Sequence, residues 1–179
     1  FTISYFSALD NGCANDLHGP YAGPDGWIYW TKGGFAKQEY TVNGKPFSTR
    51  AAHIFRARPD GSGIEPVMTG GMDNPVDVAF SPGGEFLFVG QYDGRGQLFS
   101  IETWKPVGRP LEGHTGRITF PEFTRDGRTL VTAAADGTVV IWDVDSQKPL
   151  GSPIELAPST FASAALTLTA NGTNSPARA

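Results

Sequence analysis

At 179 residues the chain is long enough to bury a core as one domain. Its 14 Lys and Arg stand against 18 Asp and Glu, a formal net charge of −4, which leaves it without the basic surface that nucleic acid needs. No apolar run is long enough to span a bilayer, no signal peptide is expected from the residues given, and the lone Cys13 excludes an intrachain disulfide among them.

With 23 Gly and 14 Pro, the composition fits many short strands joined by tight turns. The chain opens at Phe1 rather than Met and is expected to be a fragment or a processed product. In chain order, turn residues ending at Gly26, Gly84 and Gly127 each precede an apolar, β-rich run. Together with Gly172 these glycines are spaced by 58, 43 and 45 residues, and an irregular insertion near Phe35–Ala51 accounts for the longer first interval. A second marker falls later in each unit, at His53-Ile54-Phe55-Arg56, Leu98-Phe99-Ser100-Ile101 and Ile141-Trp142-Asp143-Val144. Phe55, Phe99 and Trp142 lie 44 and 43 residues apart. Two markers in register at that period define a repeat array.

Each unit reads as four strands. The first ends at a turn, Phe80-Ser81-Pro82-Gly83-Gly84 or Phe123-Thr124-Arg125-Asp126-Gly127. A second, over Glu85–Gly90 or Thr129–Ala134, runs to Asp93-Gly94 or Asp136-Gly137. The third carries the aromatic marker, and a polar outer strand follows at Lys105–Leu111 or Lys148–Ile154. No helical period competes with these alternations. The fold class expected is all-β: a β-propeller of about three and a half four-stranded antiparallel blades, incomplete, with a fourth blade starting at Phe161–Thr169. The tail at residues 171–179 is small and polar and is expected to be disordered.

The stretch Gly113–Asp143 opens on Gly-His and closes on Trp-Asp, and it resembles a WD repeat. The signal covers Asp93–Leu156, within a WD-like half at residues 91–170. The resemblance implies a buried hydrogen-bond chain through His114, Thr132, Asp136 and Trp142, in which Asp136 accepts and His114 can donate to Thr132. Read this way, the His–Asp–Thr set holds a blade together and is not a catalytic relay. The preceding unit has Phe99 at the Trp position and no Gly-His opening. The resemblance also implies a rigid platform for a protein or peptide at the rim or central opening, with no chemistry of its own.

The half at residues 1–90 differs. Asn15-Asp16-Leu17-His18-Gly19-Pro20, Gly23-Pro24-Asp25-Gly26-Trp27-Ile28-Tyr29-Trp30, Thr49–Arg56 and Asp73-Asn74-Pro75-Val76-Asp77 resemble the quinoprotein sugar dehydrogenases. They are more similar still to large planctomycete propeller proteins joined to a haem-binding domain. That resemblance implies pyrroloquinoline quinone with calcium as cofactor, His18 as the base that takes the substrate proton, and Asn74 near the quinone. The group's Arg-Asn-Pro reads Asp73-Asn74-Pro75 here, so Arg50, Arg56 or Arg58 has to supply the cation, and Arg56 is the candidate. Read from the residues alone, His18 is first a hydrogen-bonded turn residue and only second an active-site base. If the first-half resemblance guides the address, the protein is periplasmic or exported; the WD-like half specifies no compartment.

Two functions therefore stand side by side. The first is a noncatalytic propeller segment, one continuous domain without a cofactor, that binds a protein partner, its missing blades or itself. The alternative is a quinone-dependent sugar or alcohol dehydrogenase with His18 as general base. The chain lacks a phosphate loop, a Cys/His zinc spacing and a Gly-x-Ser-x-Gly elbow.

Overall fold

The computed structural model describes residues 17–34, 38–42, 44–70, 72 and 74–156. Among these residues every element is a strand. The strand β1 (Leu17–Ala22) pairs with β2 (Ile28–Lys32), after which the chain leaves the sheet in a hairpin, β3 (Gln38–Val42) and β4 (Lys45–Thr49). It returns as β5 (His53–Ala57) against β2, and β6 (Glu65–Thr69) completes the first blade, in the order β1-β2-β5-β6. The second blade is the plain meander β7 (Pro75–Phe80), β8 (Phe86–Gln91), β9 (Gly96–Ser100) and β10 (Pro106–Leu111). The third is β11 (Ile118–Phe123), β12 (Thr129–Ala134) and β13 (Thr138–Asp143), with the outer strand divided into β14 (Lys148–Pro149) and β15 (Ile154–Glu155).

These segments are strands because their alternation gives each sheet two apolar faces to bury. Along β8, Leu87 and Val89 face the first blade, packed with Tyr29, Ile54, Met68 and Phe99. The intervening Phe88 points the other way and packs with Leu98, Leu111, Ile118, Leu130 and Trp142. The core thus lies in two slabs, one between each pair of adjacent blades. β7 packs on β1 and β2, and β11 packs on β7 and β8, so the sheets converge at their first strands and splay towards their last. That is the fan of a propeller sector.

The aromatic markers occupy equivalent places, Phe55 on β5, Phe99 on β9 and Trp142 on β13. In the second and third blades the marker packs on the preceding blade, Phe99 in the first slab and Trp142 in the second. Phe55 has the β3–β4 hairpin on that side instead, with Phe47 edge-on to it at 6.3 Å between centroids. The insertion expected to be irregular is therefore a regular hairpin. Its five cross-strand pairs satisfy the backbone groups that a loop over a sheet would leave unpaired.

Close packing, within the second blade and against the third, explains one pair of glycines. Gly90 and Gly96 are cross-strand partners, and a Cβ on Gly90 would come within 2.8 Å of Ile118 Cγ2. A Cβ on Gly96 would collide with the Phe88 ring. At the outer edge, the Gln147 amide fastens the third blade to the second. Its Oε1 accepts from Arg109 N at 3.1 Å and its Nε2 donates to Val107 O at 2.9 Å, beside a register shift in β10.

The second-strand expectation in the third unit matches β12, while β8 begins and ends one residue later than expected. The third unit's outer strand is divided in two rather than continuous over Lys148–Ile154. Residues 90 and 91, where the resemblance changes family, both belong to β8, so that change falls inside a strand. The expected fourth-blade start at Phe161–Thr169, the tail, Cys13 and Asp73 lie outside the described residues.

Candidate functional site

Thr132 sits in the middle of β12, fully buried, on the face turned to the second blade. Its Oγ1 accepts the Trp142 indole N–H at 2.9 Å and lies 2.7 Å from His114 Nε2. The other ring nitrogen, His114 Nδ1, is 2.7 Å from Thr138 Oγ1. Thr138, the first residue of β13, donates its hydroxyl to Asp136 Oδ1 at 2.7 Å and its amide to the same oxygen at 3.0 Å. Asp136 Oδ2 takes the Thr115 amide at 2.5 Å and the Gly116 amide at 3.2 Å. All four expected residues are thus brought together.

One proton on each hydroxyl sets the direction of the chain. Thr138 spends its proton on Asp136, so its remaining capacity at His114 is as an acceptor and Nδ1 carries the ring proton. A neutral ring then leaves Nε2 to accept from Thr132, which in turn accepts from Trp142. The donors run head to tail, Trp142 to Thr132 to His114 to Thr138 to Asp136, an arrangement in which each bond polarises the next. His114 is therefore an acceptor towards Thr132, the reverse of the direction read from sequence.

Protonation energetics agree with this order. Burial holds the His114 imidazole below its ordinary pKa, against the pull of the Asp136 charge. Asp136 is itself disfavoured as an anion by burial, but hydrogen bonds from the Thr115 amide, the Thr138 hydroxyl and amide, and the Gly116 amide outweigh this and hold it at about 2. His114 and Asp136 do not touch directly; Nδ1 and Oδ1 are 3.7 Å apart, with Thr138 between them in the chain of bonds. Thr138 and Thr115 are the two members that sequence reasoning missed. The threonine directly after Asp136-Gly137 was the available signal, since a hydroxyl there can serve turn and histidine at once.

The second blade solves the same problem without polar groups. Counting 43 residues back, Thr132 becomes Val89 and Trp142 becomes Phe99. Donor and acceptor are replaced together, so neither is left stranded in the core, where an unpaired group costs about 1–3 kcal/mol.

The residues implied by the first-half resemblance are only partly gathered. His18 on β1 is paired with Thr31, and Thr31 donates to Pro75 O at 3.2 Å, which puts Asn74 and His18 at the same strand ends. His18 also lies near Asp77, whose carboxyl burial raises above the usual range and which is hydrogen-bonded to Tyr21. Arg56 is elsewhere, opposite Tyr29 on β5. Glu65 holds it at 2.7 Å and Asp25 at 3.3 Å, and its guanidinium lies 4.4 Å from the Trp27 ring centroid, which Arg58 also overlies at 4.8 Å. These residues do not fit a quinone held with calcium. Among the described residues no three His, Cys, Asp or Glu side chains gather as metal ligands, and the Arg56 fork is spent on two carboxylates.

Two further features had no sequence forecast. Lys32 and His53, cross-strand partners in the first blade, are both fully buried. Lys32 Nζ donates to Ala51 O at 3.0 Å, His53 Nε2 lies 2.6 Å from Thr49 Oγ1, and His53 Nδ1 has no partner. A cleft of about 730 Å³ also opens between β6 and the second blade, with Met68, Thr69, Arg95, Gln97, Phe99 and Trp104 among its walls.

Residues 64–100 and 104–143 match the WD domain, G-beta repeat family, together less than half of the chain. The first of these matches includes β7 and β8, which the sequence reading had grouped with the quinoprotein-like half. Among solved structures, the chain is similar to the β-propeller domain of Cps50 (Swd1) from Myceliophteria thermophila, with 30% identity over 46% of this chain. That alignment spans 25% of the Cps50 chain, with a TM-score of 0.44. No curated protein matches.

Proposed function

We propose that the chain is a noncatalytic β-propeller segment that presents a rigid surface to a protein or peptide partner. The observation that carries this reading is the use made of His114, Asp136, Thr132 and Thr138. A histidine, a carboxylate and two hydroxyls could serve acid–base chemistry, yet here they are joined inside a blade with each proton assigned to a structural bond. The two WD-repeat matches support the same reading, because such repeats build scaffolds whose function lies in what they present. The alternative, quinone-dependent oxidation with His18 as base, draws on the first-half resemblance and on the nearness of His18 to Asp77.

One titration separates the two. Pyrroloquinoline quinone is added to the folded protein with millimolar Ca²⁺, an electron-accepting dye and a panel of aldoses. The expected outcome is no saturable quinone uptake and no dye reduction. Tight uptake with turnover that His18→Ala abolishes would overturn the platform reading.

A further inference from the structure

The β3–β4 hairpin occupies a position that belongs to a whole blade elsewhere in the molecule. Where Phe99 and Trp142 meet the preceding sheet, Phe55 meets Phe47 of the hairpin, and Trp30 stacks on Phe55 at 5.7 Å. Phe47 also packs edge-on against His53 at 5.7 Å. Outward, the hairpin shows the exposed Glu39, Thr41, Pro46 and Ser48. With Phe47 turned inward, it covers a sheet face of the kind that the fold otherwise buries with another sheet.

What fastens this cover is unusual for a core. At its base, Thr49 Oγ1 lies 2.6 Å from His53 Nε2 and accepts the Ala51 amide at 3.0 Å, while Ala51 O takes the Lys32 ammonium at 3.0 Å. Lys32 and His53 are side by side and fully buried. Among the described residues no carboxylate is bonded to either. We propose that the β3–β4 hairpin is an acid-released cover, and that protonation of His53 beside the Lys32 ammonium frees it and bares the Trp30–Phe55 face.

Lys32 faces His53 from β2 and disfavours its charge, and Arg50, from the connection between β4 and β5, acts in turn on Lys32. From β6 come Met68 and Thr69, which carry no charge; on the hairpin Glu39 lies on the outer face, and Lys45, on the face of Phe47, is exposed at the far end of β4. Burial, then Lys32, keep the His53 pKa below its ordinary value, with the Met68 backbone opposing. Burial, then Arg50, bring Lys32 down to about 8. Both groups are thus less readily protonated with the cover closed than with it open. The Lys32 contribution to closure is lost as pH falls from about 10.5 to about 8, and the His53 contribution as pH falls through the ordinary histidine range, by at most about tenfold per pH unit for one linked proton.

Hydrogen exchange resolved along the chain, corrected for the intrinsic pH dependence of amide exchange, tests this. Between pH 7.5 and 5.5 the amides of residues 38–49 should lose protection by roughly tenfold or more, while those of β8 and β12 hold. His53→Gln, which keeps a hydrogen-bonding partner for Thr49 but cannot gain a charge here, should hold protection constant over that range. Lys32→Met, which removes the neighbouring cation and so lets the closed-state His53 pKa rise towards its open value, should make the loss smaller. Hairpin protection that ignores pH in the wild type, or a loss unchanged in His53→Gln, would overturn the proposal. A loss shared equally by β8 and β12 would also overturn it, because that is unfolding and not release.

Discussion

Thr132 is the residue on which the third blade turns, because a single hydroxyl there satisfies two buried rings at once. Thr132→Val keeps the shape and strands both the Trp142 indole N–H and His114 Nε2, so it should cost about 2–3 kcal/mol in urea unfolding. Trp142→Phe added to that variant should cost less than Trp142→Phe alone, since its hydrogen bond has already gone; strict additivity in the double-mutant cycle would count against the relay. Asp136 adds a pH dependence of definite sign. Its carboxyl is held at about 2 against an ordinary 3.8, so its contribution is complete above about pH 4 and is lost as pH falls towards 2. For a side chain only 10% exposed that shift corresponds to about 2 kcal/mol, and Asp136→Asn should flatten the acid limb of the stability profile. Four members of the relay were legible because the WD pattern fixes residue type and spacing. Thr138 was missed because its type alone does not distinguish a relay member from an ordinary β former; only its place directly after Asp136-Gly137 does. His53 and Lys32 were less legible still. A His at a strand start and a Lys at a strand end carry no sequence mark of the hairpin that covers them.

The elements show how much a blade owes to its neighbours. Gly96 gives way to the Phe88 ring within its own sheet, and Gly90 to Ile118 of the next. Gly96→Ala should therefore destabilise by about 1–3 kcal/mol through overpacking, and Phe88→Leu in the same chain should recover part of that loss. Equal losses from Gly96→Ala with either residue at position 88 would mean that the clash is not the cause. Strand positions were readable from alternation and from the turn glycines; Gly94 and Gly137 both take φ of 87°, a conformation that only glycine adopts without strain. The hairpin was the element least readable. Gln38–Val42 and Lys45–Thr49 pair with each other and not with a sheet, so their sequence lacks the two-faced apolar pattern that marks the blade strands. The divided outer strand of the third blade is a similar case, because Ser152 and Pro153 interrupt a ladder whose flanks alone reach β13.

For the molecule as a whole, the sequence carried the architecture because the repeat sets it. The marker aromatics recur at one period, and each sheet can bury its faces only against another, so a fan of sheets follows. Function was less legible for the same reason: a scaffold is specified by its core, whereas a binding surface is written in exposed side chains under no periodic constraint. What links the scales is that the histidine, carboxylate and hydroxyls of the third blade are spent on holding sheets together. Nitrogen-resolved NMR of the imidazoles in the intact folded protein tests this most directly. The result expected is a neutral His114 with its proton on Nδ1, slow to exchange and unchanged from pH 8 to well below 6.5, with both ring nitrogens in hydrogen bonds. A His114 that titrates near 6.5, with its ring proton exchanging freely with solvent, would contradict it and return the His–Asp–Thr set to the ranks of candidate active sites.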